Sequence, residues 1–248
     1  MKMERTILIG LVPMLLVATA FALYDDPAPG DPAWTIDYRG TALPEAGTDW
    51  QRFNYYGASA LGTEGNDAYL RISAHDGYDY WDSTAASGWN ADLTVGLTVE
   101  VKARALGAAS NFYTNAMNFL AGGAQGYAYF TLLGDDLNPS NTRAIGLKGA
   151  TTVYYYLDTS VWNTYRMTIE DTTAKLYING NTTAVAEVQV SSGNVNVGRW
   201  GDSSGSGSWT HGDVDYLRAT DQGAFAPVPE PAAMALLALG GLLIRKRR

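Results

Sequence analysis

Between residues 33 and 222, hydrophobic and polar positions alternate in short runs separated by Gly, Asn, Asp and Ser, and no stretch sustains a helical period. Leu97, Val99, Val101 and Ala103 interleave with Thr98, Glu100, Lys102 and Arg104, which predicts a strand with one buried and one solvated face. Comparable runs predict strands at 68–73, 127–133, 152–157, 165–170, 175–178, 184–190, 194–199 and 214–218. Many short strands between turn signals predict an all-β antiparallel sandwich or barrel with little helix.

The clearest hairpin runs from Trp162 to Glu170, turns at Asp171, Thr172 and Thr173, and returns from Ala174 to Gly180. Asn179-Gly180 marks the next tight turn, since both residues tolerate positive φ. Trp162-x-x-Tyr165-Arg166 and Leu176-Tyr177-x-Asn179-Gly180 resemble the pattern of concanavalin A-like (laminin-G-like) jelly-roll domains. The runs 195–199 and 212–218, with the Gly-rich 203–208 between them, follow in the order of that family. The resemblance covers residues 33–222 and implies a jelly-roll β-sandwich.

The two ends follow a different pattern. Lys2 and Arg5 precede an apolar run from Ile7 to Ala18, then the small-residue sites Ala18-Thr19-Ala20 and Ala20-Phe21-Ala22. Residues 1–22 are therefore expected as a signal peptide with a helical core, with an uncleaved anchor as the alternative, and 23–32 as a linker. Residues 223–227 are expected as a second linker. The tail then reads Val228-Pro229-Glu230-Pro231, an apolar stretch over 232–244, and Arg245-Lys246-Arg247-Arg248.

Two prolines keep the motif extended and accessible. The 13 apolar residues that follow span about 20 Å as a helix against a hydrocarbon core of about 30 Å, so this short transmembrane helix is a weak anchor. The basic end stays cytoplasmic by the positive-inside rule, which places the body outside the inner membrane.

This tail resembles the PEP-CTERM sorting signal of Gram-negative surface proteins, a segment also labelled an ice-binding-protein C-terminal domain. The resemblance implies an exosortase-type transpeptidase that recognises Pro229, Glu230 and Pro231. It also implies an inner-membrane-tethered precursor that later reaches the cell surface or extracellular matrix. An ordinary tail anchor with a chance Pro-Glu-Pro is the alternative. No Thr-x-Thr ladder supports ice binding by the body.

The formal charge is -8, and residues 21–244 hold 11 basic against 24 acidic residues, a surface that repels phosphate backbones and excludes nucleic acid as a partner. There is no cysteine, so neither disulfides nor thiolate metal sites are available. The two histidines, His75 and His211, are remote in sequence, and no Glu-x-Asp-x-x-Glu run occurs. No catalytic residue is assigned.

Two places carry candidate chemistry. The run from His75 to Asp82 is expected as a turn plus an edge strand, with a sugar-stacking or cation-binding loop as the functional reading. In that reading Tyr78, Tyr80 and Trp81 form a platform with Trp89, Trp200 and Trp209, whose alternative role is packing. Asp213 and Asp215 share a strand face; they are expected as solvated residues first, calcium ligands second and catalytic groups last.

The leading expectation is a non-enzymatic surface or matrix protein whose jelly roll binds extracellular polysaccharide or partner proteins. The alternatives are a carbohydrate-active enzyme, a glycoside hydrolase or lyase with carboxylates converging from different strands, and a purely structural envelope protein.

Overall fold

In the computed structural model the alternation becomes fourteen strands, and residues 33–106, 117–133, 143–195, 197–202 and 209–228 are described, without the side chains of residues 75, 76, 209 and 210. The signal peptide, the 203–208 stretch and the tail from Pro229 lie outside the described residues. In chain order the strands are β1 (Ile36–Arg39), β2 (Trp50–Gly57), β3 (Ala60–Glu64), β4 (Asp67–Ser83) and β5 (Leu97–Ala105). There follow β6 (Met117–Gly123), β7 (Gly126–Leu133), β8 (Ala144–Lys148), β9 (Thr152–Tyr156) and β10 (Asn163–Glu170). The last four are β11 (Thr173–Ile178), β12 (Ala186–Gln189), β13 (Gly198–Asp202) and β14 (Trp209–Thr220).

One hydrogen-bonded path runs β12-β11-β10-β5-β14-β4-β13-β6-β7-β8-β9, with β1 on β14 and both β2 and β3 on β4. Every pairing is antiparallel. The path doubles into two layers because β4 and β14 each serve both. Their early halves pair with one another, while later β14 pairs with β1 and later β4 with β2 and β13. A bulge at Asp215, where Val214 faces Ala103 but Tyr216 faces Lys102, supplies the bend in β14.

The core lies between the layers. Across β5 and β10, Val101 faces Tyr165, Val99 faces Met167 and Leu97 faces Ile169. The opposing layer contributes one row through Trp81, Trp200, Phe119, Phe130 and Leu147, all inward and at most 1% exposed. Phe130 meets Tyr165 across the layers at 6.0 Å between ring centroids, and Trp200 meets Tyr38 at 5.0 Å. Where β12 approaches the other layer, Ala150 N–H donates to the Gln189 carbonyl and Tyr127 exchanges two backbone hydrogen bonds with Ser191.

The predicted hairpin is present, with Asp171 at φ 52° between β10 and β11, and Asn179 and Gly180 at φ 51° and 69° in the next turn. Asn179 Oδ1 accepts the Thr164 N–H at 2.9 Å, which holds this turn against β10.

Strand β5 differs from expectation, being buried on both faces: Thr98 and Glu100 are 0% and 4% exposed. Trp34 lies over the Arg166 and Arg218 guanidiniums at 5.6 and 4.7 Å. The segment after β14, expected as a linker, covers the rest: Thr98 Oγ1 donates to the Gly223 carbonyl and accepts the Phe225 N–H, and Pro227 is buried. Beneath this cover Glu100 accepts from Arg166 Nε at 2.6 Å, Arg218 Nη2 at 2.6 Å and the Tyr216 hydroxyl at 3.1 Å.

Residues 33–227 form one compact unit. Among the described residues the only helical turns are the 3-10 segments Pro44–Ala46 and Ala85–Ser87. No helix there is long and apolar enough to cross a membrane.

Candidate carbohydrate-binding surfaces

Strand parity divides the predicted aromatic platform. The turn plus edge strand expected over His75–Asp82 is not formed: β4 continues unbroken to Ser83 with β2 on one side and β13 on the other, so Tyr78, Tyr80 and Asp82 share one face while Asp79 and Trp81 share the other. Trp81 and Trp200 are direct cross-strand partners, stacked at 5.0 Å in the core, and Trp81 donates its Nε1–H to Glu45 at 2.7 Å. Trp89 is 7% exposed and donates to the Gly122 carbonyl. These three tryptophans are core residues with no ring face for a ligand, which corrects the sequence expectation. Trp209 pairs through its backbone with His75, and its side chain lies outside the described residues.

Tyr78 and Tyr80 do face outward, and β2 brings partners that the sequence pattern did not reveal. Phe53 sits opposite Tyr80, and Tyr55 and Tyr56 both sit opposite Tyr78 at a bulge. Ring centroids follow at 5.2 Å for Phe53–Tyr80, 5.5 Å for Tyr80–Tyr78, 5.8 Å for Tyr78–Tyr55 and 4.3 Å for Tyr55–Tyr56. Tyr55 is 51% and Tyr56 70% exposed. Tyr56 holds φ 59°, a left-handed conformation that costs a non-glycine residue about 1 kcal/mol. Gly77 makes the bulge possible, because a β-carbon there would collide with the Tyr55 carbonyl oxygen.

A charged pair borders this strip. Arg199 lies 4.4 Å from the Tyr80 ring centroid and bonds Asp82 through Nε and Nη2 at 2.6 and 2.7 Å. Those hydrogen bonds are the main reason the Arg199 pKa is raised. Burial pushes the Tyr80 phenol up, against a smaller opposing effect of Arg199. Phe53 stacks on Tyr80 and Arg199 covers it, so the open aromatic surface of the strip lies toward Tyr55 and Tyr56, with the Arg199–Asp82 pair at the other end; aromatic surface beside polar groups is the combination that packs on a sugar ring and its hydroxyls. Asp79, on the inner face, is held by Arg52 through two bonds of 2.8 Å.

The predicted calcium pair is occupied by cations of the chain itself. Asp213 is fully buried; its Oδ1 accepts from Arg71 Nε at 2.8 Å and its Oδ2 from Arg104 Nε at 2.9 Å. Hydrogen bonding to Asp213 is the largest cause of the raised Arg71 pKa. Asp215 pairs with Lys102 Nζ at 2.6 Å. Neither aspartate is solvated in the way the alternation suggested. Among the described residues no group of three or more His, Asp or Glu side chains is placed to hold a metal ion.

Asp215 instead lines a cavity of about 180 Å3 together with Glu64, Asp67, Tyr69, Lys102 and Trp162. Three carboxylates from β3, β4 and β14 converge here beside an indole, a grouping spread over 152 residues of sequence from Glu64 to Asp215. Trp162 was legible only as the start of a hairpin.

Of the tail motif, Val228 is described and is 49% exposed. Residues 227–248 match the PEP-CTERM protein-sorting motif, which marks an exported protein with a membrane-anchored precursor processed by an exosortase. No curated protein matches the chain. Among solved structures, the fold is similar to a carbohydrate esterase from Shiga toxin-encoding bacteriophage phi24B, at TM-score 0.54 and 11% identity over 75% of this chain and 97% of the esterase. The alginate lyase AlgAT5 of Polysaccharide Lyase family 7 is similar at TM-score 0.48 and 11% identity, over 70% of this chain and 94% of the lyase. The botulinum neurotoxin serotype G binding domain is similar at TM-score 0.49 and 8% identity, over 79% of this chain and 49% of that one. At such identities the likeness concerns the fold alone.

Proposed function

We propose that this chain is a surface or extracellular-matrix protein of a Gram-negative bacterium, whose jelly-roll body binds extracellular polysaccharide without chemically altering it. The observation that carries the reading is the strip Phe53, Tyr80, Tyr78, Tyr55 and Tyr56, an outward row of aromatic rings whose exposed end is held by a bulge. A row of this kind gives a sugar chain continuous aromatic contact, greatest at the exposed Tyr55 and Tyr56, and the Arg199–Asp82 pair adds hydrogen bonds at its border. The sorting tail supports the location.

Affinity electrophoresis of the full chain through gels containing soluble polysaccharides tests the reading. Retardation by at least one polysaccharide, lost in Tyr80→Ala and in Tyr55→Ala/Tyr56→Ala, is the expected result. Equal mobility of these variants and the parent in every gel would sink it.

A second reading, hydrolysis or elimination on the same ligand, is favoured by the convergence of Glu64, Asp67 and Asp215 on one cavity. Against it, Asp215 is tied to Lys102, Glu64 is tied to Arg104, and the directly opposed pair Asp79 and Asp202 is fully buried. New reducing ends or unsaturated products, abolished in Asp215→Asn, would make the enzyme reading the better one.

A further inference from the structure

We propose that the cavity beside Trp162 is a second binding site, for a single sugar ring that carries one positive charge, the chemistry of an amino sugar with a free amine. Its aromatic wall is preset. The Trp162 Nε1–H donates to Glu64 Oε2 at 3.4 Å, the Arg104 guanidinium lies 4.4 Å from the indole centroid, and Tyr69 meets the indole edge-on at 6.0 Å. The Tyr69 hydroxyl accepts from Arg71 at 3.2 Å, and Gly62 packs so closely on this ring that a β-carbon would overlap it.

Charges around the cavity balance one another with a single exception. Lys102 pairs with Asp215 at 2.6 Å, Arg71 with Asp213 at 2.8 Å, and Arg104 with both Asp213 at 2.9 Å and Glu64 at 2.7 Å. Asp67 remains: an exposed carboxylate that lines the cavity with no side-chain hydrogen bond or ion pair among the described residues. One ammonium group beside Asp67 completes the balance. Apart from Lys102, the Tyr69 hydroxyl and the Trp162 Nε1–H, which is directed at Glu64, the polar lining side chains offer acceptors, so the ligand must bring donors, which hydroxyls and an ammonium do. The volume of about 180 Å3 is below the roughly 300–1,000 Å3 that enclose drug-sized molecules, so one ring fits rather than several.

Titration calorimetry of the full chain with glucosamine, N-acetylglucosamine, glucose and glucuronic acid tests the proposal. Glucosamine is expected to bind about tenfold more tightly than the others. Asp67→Asn is expected to weaken it by about tenfold at unchanged Tm, and Trp162→Phe to weaken it too. Tyr80→Ala leaves this binding intact, so the site stands or falls independently of the tyrosine strip. Equal affinity for glucose, tighter binding of glucuronic acid, no binding of glucosamine, or indifference to Asp67→Asn would each overturn the proposal.

Discussion

At Glu100, Trp200 and Asp221 single side chains carry structure that the alternating pattern hides. Glu100 is the shared acceptor of Arg166 and Arg218 under Trp34. Removing it leaves two buried guanidiniums without their counter-charge, so Glu100→Ala should cost about 3–5 kcal/mol in denaturant unfolding. Trp200→Ala should cost about 3–5 kcal/mol through its cavity; Tyr80→Ala, on the outward strip, should cost clearly less in the same measurement. That contrast separates packing tryptophans from outward-facing tyrosines. Composition cannot make this distinction, because an indole serves equally well in either role and one step of strand parity decides between them. Asp221 adds a pH dependence. Burial alone would raise its pKa, but hydrogen bonds from Gln222, the Asn90 N–H and Thr35 together hold it below the ordinary 3.8. Its stabilisation is therefore complete above that ordinary value and disappears as pH falls through the lower folded value. Asp221→Asn should flatten the acid limb of a plot of Tm against pH.

At the scale of elements, β10 and β11 were legible because their turn chemistry and period-two pattern agree. The register closes at Glu170 opposite Thr173, one residue tighter than the sequence suggests. Strands β2 and β3 gave no such signal. Both lie at edges on β4, with most residues partly or fully exposed, so burial imposes no alternation on them. Strand β8, Ala-Ile-Gly-Leu-Lys, is buried on both faces and loses alternation for the opposite reason. The aromatic strip was half legible for the same cause, since Tyr78 and Tyr80 stand in a visible run while Phe53, Tyr55 and Tyr56 come from the edge strand. The covering segment 223–227 was read as a linker because its contacts are to β5, more than a hundred residues away in sequence. Thr98 Oγ1 makes two hydrogen bonds to this segment. Thr98→Val should therefore cost about 1–3 kcal/mol and speed hydrogen exchange at the Phe225 amide; unchanged exchange there would show that other contacts hold the segment.

For the molecule as a whole, the position of β14 matters most. It is the last strand among the described residues, yet it lies between β5 and β4 and supplies the hydrogen bonds by which one layer continues into the other. A chain cut after Asp202 should accordingly lack a cooperative unfolding transition, whereas one cut after Pro227 should retain it, as differential scanning calorimetry of the two would report. For a polypeptide threaded across a membrane from its N-terminal end, this layout delays completion of the body until residues 209–220 have emerged. Until then the segment already across cannot lock into its final shape. A chain threaded in that way would still lack its fold while it passes a narrow channel, and would commit to it only once β14 has followed.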